Sequence, residues 1–139
     1  MFIALAWPAH EHHDSARNWF LSRKRLKWAT CPITQLGFVR LLSNPAVSPD
    51  ALSVTEAVEL LVKNVNESSH EFWPDTAPAP LALKPLLGNA AGHGQVTGAY
   101  LLSLVVRHKA RLATFDRGLV QFATQARVGS HVELLSLSH

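Results

Sequence analysis

Asp116 is the carboxylate best placed for chemistry in this chain. It follows the apolar segment Arg111 to Phe115, which reads as a strand, and precedes Arg117 and Gly118 at the start of a helical stretch. In a parallel α/β sheet, ligands gather outside the carboxyl ends of strands, so an acid there can hold a divalent cation. Asp is also a preferred helix N-cap, and both roles stay open from the local sequence. Thr34 and Gln35 occupy the same kind of position, after a second strand over Leu26 to Ile33. Thr34 additionally has the chemistry to cap the helix that follows.

The other reactive side chains point less clearly to a site. His10, His12 and His13 lack the spacing of a helical zinc pair and have no thiolate to complete a tetrahedron, so they read as solvated residues at a helix start. Cys31 is the single cysteine, which excludes a disulfide framework, and its apolar surroundings suit packing better than nucleophilic attack. Trp7, Trp19, Trp28 and Trp73 have the faces to stack on bases, yet each stands among apolar neighbours. The run Arg23, Lys24, Arg25 and Lys27 suits phosphate or an acidic surface, and equally a solvated helix end. There is no P-loop, GxSxG or CxxC pattern.

These residues must be carried by one α/β domain. The chain has 139 residues, 47% hydrophobic and 17% charged, which is a globular balance. Its 13 Lys and Arg exceed 10 Asp and Glu, giving a net charge of +3, compatible with a phosphate-rich partner without demanding one. No apolar run is long enough to span a membrane, no signal peptide opens the chain, and a cytoplasmic protein is expected. Helical periodicity is predicted from His10 to Arg25, through Leu36 to Leu42, from Ser53 to Val65 with Glu56 completing a capping box, from Gln95 to His108, and from Arg117 to Ala123. Met1 to Trp7 reads as a further short helix ended by Pro8. Strands are expected at Leu26 to Ile33, His70 to Trp73, Arg111 to Phe115 and Val132 to Leu137, with an irregular proline-rich connection from Pro74 to Pro85. Strands alternating with helices imply a mainly parallel sheet.

Several stretches fall in one order that resembles the PIN-domain ribonucleases of the VapC toxin type. They are Ala4 to Pro8 with His10 and His13, Trp28 to Gln35 leading into Gly37 to Arg40, Ser43 to Pro45, Phe72 to Asp75, Gly92 to Thr97, Ala99 to Leu102, and Leu112 to Leu119. The resemblance covers nearly the whole chain. It implies a PIN-like three-layer α/β/α sandwich, Mg2+- or Mn2+-dependent endoribonuclease activity, a VapB-type antitoxin as inhibitor, RNA as substrate, and a homodimer. It places Asp116, Gln35 and Thr34 at the catalytic position, with Asp116 on the metal, and Arg40, Arg117 and His93 as contacts to RNA or antitoxin. The departures fall on the chemistry. Members begin with a strand ending in Asp, upstream of the segment that here starts at Met1. A further acid precedes the Ala99 to Leu102 segment in the family, and this chain has Gly98 there. Gln35 stands where Glu is common. With so little ligand charge, impaired cleavage is expected, and a binding module without catalysis is the alternative.

Overall fold

The computed structural model describes residues 5, 10–23, 25–47, 49–86 and 92–136. The expected helix over Met1 to Trp7 and the last three residues of the chain lie outside this set, Leu5 apart. The chain forms two compact units, Phe2–Asp75 and Thr76–His139.

In the first unit, helix α1 spans His13–Ser22, strand β1 Trp28–Thr30, α2 Pro32–Leu42, α3 Val54–Val65 and strand β2 His70–Phe72. Helix α1 ends before the basic run: Arg23 is already extended and Arg25 adopts a left-handed conformation at φ 63°. Arg23, Arg25 and Lys27 therefore lie past the helix, not in its last turn. Strand β1 is shorter than expected because Cys31 and Pro32 turn the chain straight into α2. Cys31 is the N-cap, and Pro32 takes the first helical position, where its missing N–H costs nothing. Thr34 is thus not the N-cap. It sits inside the first turn, where its hydroxyl accepts from the Cys31 N–H at 2.9 Å and donates to the Cys31 carbonyl at 3.0 Å. The capping box of α3 is as expected, with Ser53 Oγ accepting from Glu56 N at 3.1 Å and Glu56 Oε2 accepting from Ser53 N at 2.8 Å. Phe38 and Leu42 of α2 pack on Ala57 of α3, supported by Val39, Leu52, Leu60 and Leu61. This hairpin returns the chain to β2, which pairs with β1 in parallel: Trp28 faces His70 and Thr30 faces Phe72.

In the second unit the proline-rich connection is less irregular than its composition suggests. Prolines early in a helix are tolerated, and Ala79–Leu83 forms a short helix α4 followed by a 3-10 turn at Lys84–Leu86. A 3-10 turn at His93–Gln95 leads into α5, Val96–Arg107. Strand β3 spans Leu112–Thr114, α6 Arg117–Gln125, and β4 Val132–Leu134. Both long helices end in a left-handed residue that is not glycine. Lys109 has φ 53° and Arg127 φ 61°, and in each case the next N–H reaches back into the last turn, Ala110 to Val105 and Val128 to Ala123, at 2.9 Å. These caps send the chain back into β3 and towards β4. The pair β3–β4 is parallel, with Leu112 opposite Val132 and Thr114 opposite Leu134. Ala99, Leu102, Leu119, Phe122 and Ala123 are buried in this unit.

Helices connect short strands that pair in parallel throughout, which is the α/β class expected. The strands form two pairs, β1–β2 and β3–β4, and no ladder joins them among the described residues.

Candidate active site

The expected site residues divide between the units. Thr34, Gln35 and Arg40 all lie on α2, just after β1, in the first. His93, Gly98, Asp116 and Arg117 lie in the second, around the starts of α5 and α6.

Asp116 lies two residues past the end of β3 and is exposed. Its own N–H donates to Thr114 Oγ1 at 3.0 Å, which turns the chain out of the strand. Its Oδ1 then accepts from Gly118 N at 2.8 Å and Leu119 N at 3.2 Å, so Asp116 is the N-cap of α6. Of the two roles open from the sequence, capping is the one these bonds display. Gln95, at the start of α5, donates from Nε2 to the Gly118 carbonyl at 3.3 Å and ties the two helix starts together.

Gly98 lies in the first turn of α5 and faces α6. A Cβ at Gly98 would stand 3.0 Å from Leu119 Cδ1, 3.5 Å from Cδ2 and 3.7 Å from Cγ. Leu119 is only 6% exposed, so the space that a side chain at position 98 would enter is filled by the isobutyl group from the facing helix. His93 and Arg117 are exposed on either side of this corner's sequence, in the 3-10 turn and at the first position of α6.

Gln35 is half-buried. Its Nε2 donates to Thr30 Oγ1 at 3.0 Å, and that hydroxyl lies 2.7 Å from His70 Nε2. Thr34 is occupied with the Cys31 backbone, and Cys31 itself is 2% exposed, packed as expected. Arg40 is exposed near the end of α2. The Thr30–His70 contact and the Leu119 cover were not expected from the sequence. Residues 40 and 21 positions apart meet there, and no local pattern announces either contact.

The first unit also carries a cleft of about 230 Å³, lined by Phe20, Leu21 and Trp28 with Arg17, Asn64 and Glu67 among its polar groups. His10 lies nearby in sequence. Burial, then the neighbouring His12, hold its pKa below the usual histidine value.

Among the described residues no three His, Cys, Asp or Glu side chains come together as a metal site needs. Asp116 Oδ1 accepts the two cap bonds and Leu119 lies against Gly98, so among the described residues this corner assembles no complete ligand set for the divalent ion the resemblance implies.

No family model matches the chain. Individual relatives do. Ribonuclease VapC38 of Mycobacterium tuberculosis is 42% identical over 135 residues, covering 97% of this chain and 93% of the relative. Ribonuclease VapC39 of the same species is 35% identical over 128 residues, covering 92% of each. The chain belongs to the VapC ribonuclease family. Ribonuclease VapC44 adds 35% identity over 137 residues, with 97% of this chain and 94% of the relative covered. Coverage of this extent spans both units, so the corner at Gly98 and Asp116 and the start of α2 at Gln35 both fall inside the VapC match. Within the described residues, no helix is long and apolar enough to cross a membrane.

Proposed function

We propose that this VapC-type chain is the toxin of a toxin–antitoxin pair, cytoplasmic and dimeric, whose RNA phosphodiester cleavage is impaired. Membership of a family of ribonucleases supports the activity class. The observation that carries the impairment is the corner between α5 and α6, where Leu119 fills the space facing Gly98 and the one nearby carboxylate caps a helix. Phosphodiester cleavage needs concentrated charge opposite the charge that develops on the scissile phosphate, and this corner offers little. Dependence on Mg2+ or Mn2+ is part of the proposal, although the described donors supply no complete set.

The cleft of the first unit, lined by apolar and polar groups alike, supports the antitoxin as partner. Phe20, Leu21 and Trp28 offer apolar contact, and Arg17 and Glu67 offer charges of both signs to fix a docking segment.

Cleavage of a labelled single-stranded RNA pool with Mn2+ tests the reading, comparing the chain with Asp116→Asn. Asn keeps an oxygen for the cap and removes only the charge. Slow cleavage that Asp116→Asn abolishes is the expected result. Rapid cleavage by the unaltered chain would overturn the impairment, and cleavage indifferent to Asp116→Asn would overturn the assignment of Asp116. If nothing is cut while an antitoxin still binds, the second reading, a VapC-like binding module, replaces the first.

A further inference from the structure

The basic excess of the chain is not shared between its halves. The first unit has seven Lys and Arg against eight Asp and Glu, and the second has six against two, so the net positive charge belongs to the second. Four of those six cations gather where the strands start. Arg107 closes α5, Lys109 is the left-handed residue after it, Arg111 stands immediately before β3, and Arg127 is the left-handed residue after α6. A helix that precedes a strand ends near where that strand begins, and Leu112 opposite Val132 sets the two strand starts side by side. The 3-10 turn Gly129–His131 ties them together. Arg111 Nε donates to the Ser130 carbonyl at 3.2 Å, and His131 Nδ1 lies 2.9 Å from the Ala110 carbonyl. All four cations are exposed. Arg111 Nη1 has Glu133 at 3.9 Å, whereas the ion pairs among the described residues leave Arg107, Lys109 and Arg127 without a carboxylate.

We infer that this end of the second unit holds the phosphate backbone of RNA, at the other end of β3 from Asp116. The helix dipole accounts for a cation near each helix end, but not for Lys and Arg at φ 53° and 61°, where glycine is the easier residue. A protein partner would need apolar anchors at the centre of its footprint, and no large apolar side chain from Arg107 to His131 is exposed. Cations on long stems, with no apolar surface between them, match phosphates instead, a contact that positions a strand without reading its bases. The choice of RNA among phosphate-bearing strands rests on the proposed function; the phosphate chemistry rests on this end alone.

Fluorescence anisotropy of a short labelled single-stranded RNA with the full chain tests it, in EDTA so that cleavage is not read. Lys109→Gly combined with Arg127→Gly removes two cations and eases both left-handed residues, so a loss of binding would not reflect a loss of folding. At about 0.1 M salt the double variant should bind about 25-fold more weakly, and the slope of log K on log salt should flatten by about 1.4. Lys63→Gln, on α3 of the first unit, should cost less than about twofold. No RNA binding, or affinity unmoved by the double variant, would overturn the inference. Duplex DNA should gain about fourfold over three contacts from its denser charge; a preference beyond about tenfold would give this end to DNA and overturn it. Displacement of the RNA by polyglutamate at equal charge would give it to an acidic protein, with the same consequence. RNA binding that follows these cations in a chain that never cleaves would uphold the inference and remove only the toxin reading.

Discussion

Placing a carboxylate at position 98 tests the packing of the α5–α6 corner, and the structure sets the size of the effect. Gly98→Ala removes a poor helix former, a gain of about 1 kcal/mol. The new Cβ meets Leu119 Cδ1 at 3.0 Å, so the leucine must turn aside. An off-rotamer leucine costs about 0.5–1.5 kcal/mol, and the two terms nearly cancel. Gly98→Asp recovers less helix propensity, gains about 0.5 kcal/mol from the helix start, and sets a carboxylate against apolar methyls, which costs about 1–3 kcal/mol. A net loss of about 1–2 kcal/mol is expected. Leu119→Ala is itself costly, about 2–5 kcal/mol, but it opens the space. In that background Gly98→Asp should become neutral or favourable. Urea unfolding of the chain, both single variants and the double variant gives the coupling energy, expected at about 1–2 kcal/mol. Calorimetric titration with Mn2+ should show binding strengthened in the double variant beyond either single one. Additive stabilities within about 0.5 kcal/mol would refute the claim that Leu119 occupies the vacated position.

Three further outcomes follow from the same geometry. Asp116→Ala should lose about 1 kcal/mol of stability by thermal or urea unfolding, because two N–H groups of α6 lose their acceptor, whereas Asp116→Asn should lose little. Lys109→Gly should stabilise the chain by about 1 kcal/mol, since the left-handed cap at φ 53° suits glycine better; no gain in urea midpoint would contradict that cap. His70 and His10 both have pKa values lowered from 6.5, so the unfolded chain binds more protons as pH falls below that value. The melting temperature should drop between about pH 7 and pH 5, and His70→Gln should flatten part of that slope.

Much of the fold is legible in the residues alone. Helical spacing located α1, α2, α3, α5 and α6, and Ser53 with Glu56 marked the start of α3, because these signals act within a few residues of the chain. The family is legible too, since the ordered stretches from Trp28 to Leu119 survive as sequence. Asp116 stood out for the same reason, at the junction of a strand and a helix. Its second role as cap was readable, but the choice between roles was not, because that depends on what other acids approach it. Thr34 was misplaced as the cap because Cys31, which takes that position, is a poor side chain for it and is set there by Pro32 and the end of β1. The remainder belonged to tertiary structure. Leu119 covers Gly98 only because α5 and α6 meet at their first turns. His70 reaches Thr30 only because β1 and β2 pair in parallel, bringing residues 40 positions apart to 2.7 Å. Periodicity and capping record what each segment buries, whereas the contacts that decide the chemistry are made between segments, and their energy depends on distances that no local pattern encodes.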